Sequence, residues 1–136
     1  MRKLLLDTGP LVAMLDRSEK NHIRCVSFFS EFRGRLITTE PVITETLYLL
    51  GPLFTNQKAA LDFVVCGGVE VFPLTQVLIK RSSQLMDKYS DIPMDFADAT
   101  LVALGEQLGI LEIMTLDIRG FAAYRTLSRK AFMIFP

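Results

Sequence analysis

The sequence predicts an α/β fold: a three-layer α/β/α sandwich around a parallel sheet of about five strands. Short apolar runs alternate with amphipathic stretches along the whole chain. Strands separated by helices pair in parallel, and a parallel sheet needs cover on both faces. Half of the 136 residues are hydrophobic, enough for an extensive core in one domain spanning residues 1–136.

The first strand is Leu4–Leu6, an apolar run that Asp7 and Gly9-Pro10 cut too short for a signal peptide. Pro10–Leu15 starts a short helix. His22–Phe32 places Ile23, Val26, Phe29 and Phe32 near helical spacing and stops at Gly34. Leu36–Thr38 is the second strand. Thr39 is a cap for the next helix, with Pro41 in its first turn, and that helix ends at Gly51-Pro52. Gln57–Val65 is helical, closed by Gly67-Gly68, and Val69–Phe72 is the third strand. Gln76–Tyr89 is helical, with Val77, Leu78, Leu85 and Met86 apolar. A loop through Pro93 leads to a helix over Asp95–Leu108, ended by Gly109. Ile113–Leu116 and Phe132–Phe135 complete the strands.

No segment approaches the roughly 18 uninterrupted apolar residues of a membrane helix. Cys25 and Cys66 follow no metal-ligand spacing and are expected as reduced core residues, which points to the cytoplasm. Fifteen acids balance fifteen basic residues, so overall charge argues mildly against a nucleic-acid binder. Arg119, Arg125, Arg129 and Lys130 nevertheless form a local basic run. It has two readings: a solvated edge or a phosphate-facing patch.

Four acids stand where a packed chain does not ordinarily carry charge. Asp7 ends the first strand, and Glu45 interrupts the apolar stretch Val42–Leu50. Asp98 sits among Ala97, Ala99, Leu101 and Val102, while Asp117 follows the fourth strand. A carboxylate against a core is expensive unless something positive neutralises it, and a divalent cation is the usual solution. Open parallel sheets bind ligands at their strands' carboxyl ends, which unites Asp7 and Asp117. Glu45, early in the helix after the second strand, lies near the same edge. Asp98 reaches that edge if Tyr89–Pro93 is a turn between two antiparallel helices. Asp95, three residues before Asp98, shares its helical face. Both also have a bland reading, as acids at a helix N-terminus.

The run Leu4-Leu5-Leu6-Asp7-Thr8-Gly9-Pro10-Leu11-Val12-Ala13 resembles the opening motif of PIN domains. Thr44-Glu45, Ala97-Asp98-Ala99-Thr100-Leu101-Val102 and Thr115-Leu116-Asp117 are similar to the family's later acidic motifs, in order and spacing over nearly the whole chain. The resemblance implies a small nuclease fold with Asp7, Glu45, Asp98 and Asp117 as its acidic site. It also implies Mg²⁺ or Mn²⁺ dependence and RNA as substrate. Many members are VapC-like toxins of toxin–antitoxin pairs, which implies a homodimer and a small antitoxin partner.

Phosphodiester hydrolysis suits this set, because divalent ions lower the pKa of water, orient phosphate and stabilise charge. The only histidine, His22, is expected in a structural role, which leaves no Ser–His–Asp arrangement. Thr8, Thr44 and Thr115 flank acids and are candidates for orienting carboxylates, water or phosphate. Asp95 is a supporting acid, and Arg119 either pairs with Asp117 or meets a phosphate. Gly9 stands where an aspartyl-nucleophile phosphohydrolase would place a second aspartate. A non-catalytic RNA-binding or scaffold protein of the same fold is the rival outside the enzymes.

Overall fold

The first strand, β1 (Lys3–Leu6), lies at the centre of the sheet, and its leucines are fully buried. Side chains alternate across a strand. Leu4 and Leu6 therefore join one core cluster, with Leu11, Ala13, Cys25 and Met114, while Leu5 joins the other, with Ile37, Leu85, Leu101 and Leu104. A strand buried on both sides is the mark of a sheet between two helical layers.

The computed structural model describes residues 1–136. After β1 come α1 (Thr8–Leu15), α2 (His22–Glu31), β2 (Arg35–Thr39), α3 (Glu40–Leu49), α4 (Phe54–Val65) and β3 (Glu70–Phe72). Then follow α5 (Gln76–Lys88), α6 (Phe96–Leu108), β4 (Glu112–Met114), α7 (Ile118–Ala123) and β5 (Met133–Phe135). The five strands run in the order β3-β2-β1-β4-β5, and every pairing is parallel. Leu5 pairs with Ile37 on one side and Ile113 on the other, so strand order reverses at β1 and β4. The cleft at their carboxyl ends is the topological switch point. No helix is long and apolar enough to cross a membrane.

The α/β/α sandwich and its five strands match the expectation, and the turn after α5 is also as anticipated. A short turn joins α5 to α6, and Arg81, midway along α5, bonds Glu106, late in α6, at 2.9 and 2.8 Å, as an antiparallel pair requires. That hairpin starts α6 at the carboxyl edge. Thr75 caps α5 by accepting from Leu78 N, and Gly109 ends α6 in the left-handed conformation at φ 70°.

Four local expectations are corrected. A seventh helix, α7, follows Asp117 within a segment too short for periodicity to reveal. Thr39 precedes α3 but does not cap it, because its hydroxyl is paired with Thr100 Oγ1 at 2.8 Å inside the core. In α2 the inward stripe is Cys25, Phe28 and Phe29, continued by Phe32 just past its end, which leaves Ile23 and Val26 exposed; Val77 of α5 is likewise exposed. Cys25 is buried as expected, whereas Cys66 is exposed just after α4. His22 does take a structural role, with Nδ1 2.7 Å from Ala13 O.

Candidate active site

Asp7 is the first residue past β1, anchored by its backbone N–H to Met114 O of β4 at 3.0 Å. Its carboxylate is almost wholly buried. Oδ1 accepts from Thr8 N at 2.8 Å, and Oδ2 accepts from the Thr115 hydroxyl at 2.7 Å. The Thr115 hydroxyl oxygen also receives Asp117 N at 3.0 Å. One threonine thus orders both strand-end acids.

Asp117 opens α7 by accepting from Gly120 N at 3.0 Å. A side chain at Gly120 would strike Asp117 Oδ2 and the Tyr124 hydroxyl, so the small residue lets both approach. Asp95 and Asp98 start α6 as a reciprocal pair: Asp98 N donates to Asp95 Oδ1 at 2.8 Å, and Asp95 N donates to Asp98 Oδ2 at 3.3 Å. The capping reading of these two acids is therefore correct. Asp7, Asp95 and Asp117 each precede a helix, so three positive helix ends meet at this edge.

The acids feel one another. Burial pushes the Asp7 carboxyl up to about 6, against its hydrogen bonds from Thr115 and Thr8, with Asp95 and Asp117 adding to the rise. Burial, then the charges of Asp7 and Asp95, raise Asp98 to about 8. Glu45 is raised by burial and then by Asp95 and Asp7, which brings it into the same field. Tyr124, buried below the site, is raised by burial and by Asp98 and Asp117. Desolvation together with like charge is how functional carboxylates depart from their ordinary range.

The remaining candidates divide. The Thr8 hydroxyl is buried without a hydrogen-bond partner, although it lies near enough to Glu45 to hold that pKa down. Thr44 donates to Glu40 O of its own helix and lines the cleft that Glu45 and Asp95 share. Arg119 is exposed on α7 and forms no ion pair, which removes its reading as a partner of Asp117. Arg125 folds onto the carbonyls of Ala122 and Tyr124, and Lys130 lines a cleft of about 750 Å³ beside the second half of α6. That cleft holds none of the five acids. A second cleft, of about 710 Å³, includes Glu45 and Asp95.

No three carboxylates stand close enough to grip one ion with protein oxygens alone. The donor set still fits Mg²⁺ or Mn²⁺. It is all oxygen, no lysine or arginine pairs with any of its carboxylates and it contains a buried hydroxyl without a partner. Mg²⁺ characteristically takes one or two carboxylates and keeps several waters. Sequence reasoning missed Tyr124, whose approach to the acids depends on the unpredicted α7.

A parallel sheet with acids gathered at its switch point defines the class. The PIN domain family model matches residues 4–127, and the chain belongs to that family. Among individual proteins it resembles Ribonuclease VapC26 of Mycobacterium tuberculosis (strain ATCC 25618 / H37Rv). The two are 26% identical over 135 residues, covering 98% of this chain and 100% of that protein. Its fold is similar to the crystal structure of Mycobacterium tuberculosis VapC20, a sarcin-ricin loop cleaving toxin. There the TM-score is 0.76 at 20% identity, over 81% of this chain and 86% of that one. It is also similar to VapBC2 from Rickettsia felis bound to a DNA fragment from their promoter, with TM-score 0.69 and 10% identity over 99% and 100% of the two chains.

Proposed function

We propose that the chain is a metal-dependent endoribonuclease and the toxin of a toxin–antitoxin pair. The observation that carries this reading is the convergence of Asp7, Glu45, Asp98 and Asp117, from four separate segments, on one carboxyl edge. The ribonuclease relative and the toxin folds support it.

In this reading Asp7 and Asp98 hold Mg²⁺ or Mn²⁺ directly, with Glu45 and Asp117 reaching it directly or through water. When bound, the ion lowers the pKa of water and neutralises charge on the phosphate. Thr115 fixes the rotamer of Asp7, Thr8 offers its unpaired hydroxyl to water or phosphate, and Asp95 orders Asp98. Arg119, unpaired and two residues past Asp117, meets a phosphate of the RNA. The partners are RNA, a small antitoxin and a second copy of the chain, in the cytoplasm.

The open ligand set favours one rival, a PIN-like scaffold that binds no metal. Calorimetric titration with Mg²⁺ and Mn²⁺ separates the two, since a scaffold gives no binding heat. The deciding experiment is cleavage of total RNA with Mg²⁺, with and without chelator, by the wild type and by Asp7→Asn and Asp98→Asn. Cleavage is expected from the wild type with metal alone. Full activity in either folded variant overturns the assignment.

A further inference from the structure

The 710 Å³ cleft beside the acids has a chemistry that metal binding and hydrolysis do not use. Tyr48 of α3 is 81% exposed on its wall, and Phe96, the first residue of α6, is 38% exposed there. Leu74 also lines the cleft. Exposed aromatic rings beside an active site are the usual platform for an unstacked base. The only charged residues in the lining are Glu40, Glu45 and Asp95, with no lysine or arginine. Such a surface repels phosphate but accepts hydrogen bonds from a base's N–H groups. The volume falls in the range of small-molecule sites, about 300–1,000 Å³. Glu45 and Asp95 belong to both the cleft and the acidic cluster, so a nucleotide there is contiguous with the reacting phosphate.

We propose that this cleft is a nucleobase subsite, in which Tyr48 and Phe96 stack a base flanking the scissile bond and Glu40 accepts from its amino group. The inference rests on the ribonuclease reading for its occupant. It implies a preference for amino-bearing bases over uracil at one position next to the cut.

Two readouts test it. In cleavage of a short single-stranded RNA, Tyr48→Ala and Phe96→Ala should each raise KM about tenfold or more with kcat nearly kept, and Tyr48→Phe should behave as wild type. An abasic nucleotide at the flanking position should impose the same loss on the wild type and abolish the difference between it and Tyr48→Ala. Glu40→Gln should relax the discrimination against uracil. Separately, Asp7→Asn should quench 2-aminopurine placed at that position of the RNA, and adding Tyr48→Ala should remove the quench.

A Tyr48→Ala loss that persists undiminished on abasic RNA overturns the proposal. So do RNA readouts unchanged in both alanine variants, which would leave the rings to a protein partner. Quenching that depends on Tyr48 without any cleavage by the wild type keeps the subsite and sinks the nuclease reading alone.

Discussion

The Thr115 hydroxyl donates to Asp7 Oδ2 at 2.7 Å and receives Asp117 N at 3.0 Å, so one small side chain ties β4 to the acid that ends β1. Thr115→Val keeps the shape and removes both bonds. Groups that orient a metal ligand are worth about 10- to 100-fold in affinity or activity. We expect Mg²⁺ affinity by calorimetry, and RNA cleavage, to fall by that amount in a folded protein. Unchanged metal affinity would show that Asp7 needs no such support.

Stability should depend on pH in an unusual direction. Asp7 and Asp98 have folded pKa values near 6 and 8, above the ordinary 3.8 of an unfolded aspartate. Between these values the folded state binds more protons than the unfolded one, so stability falls as pH rises from about 4 to 8. Two units on Asp7 alone correspond to about 3 kcal/mol. Thermal melts in chelator should therefore show Tm falling over that window. Saturating Mg²⁺ should flatten the slope, and Asp98→Asn should reduce it. A melt that rises with pH in chelator contradicts the raised values.

Far from the acids, Glu106 takes two bonds from Arg81 and a third from Leu127 N at 3.0 Å. Both side chains are mostly covered, at 21% and 14% exposure. Glu106→Ala strands a guanidinium and a backbone N–H, so urea denaturation should show a loss of about 1–3 kcal/mol. Cleavage measured on the remaining folded protein should hold, because the pair lies at the other end of α6.

The two cysteines should differ in reactivity. Cys66 is exposed, while Cys25 is buried and its thiol is pushed up by that burial. A thiol reagent should titrate one group per native chain at neutral pH and two after denaturation. Two fast thiols in the native state would mean that α2 does not cover the sheet as described.

The sheet was legible because β1, β2 and β4 are buried on both faces and read as plain apolar runs. Asp7 and Asp117 followed from the rule for strand ends. Asp98 required the further inference that α5 and α6 form a hairpin, and the Arg81–Glu106 pair shows that they do. Less legible was the phase of the helical faces. In α2, Ile23 and Val26 fit helical spacing as well as Cys25 and Phe28 do, and only the sheet decides which pair turns inward. Thr44 shows a related limit: adjacency to Glu45 says nothing about direction, and its hydroxyl bonds its own helix although the residue lines the cleft beside Glu45. The cleft around Tyr48 and Phe96 was invisible, because it joins residues 48 apart in the chain.

Helix initiation and the candidate site share residues here, and that bears on how kinship should be read. Asp7, Asp95 and Asp117 begin three helices, and asparagine, serine or threonine would begin them nearly as well. Selection for folding alone would thus keep an oxygen-bearing side chain at each of these positions after activity had gone. Glu45 begins nothing. It sits mid-helix, accepts no hydrogen bond that α3 needs and is destabilised by its surroundings. If the site hydrolyses RNA as proposed, a lineage released from that task is expected to lose Glu45 first, which makes position 45 the one to inspect in a descendant.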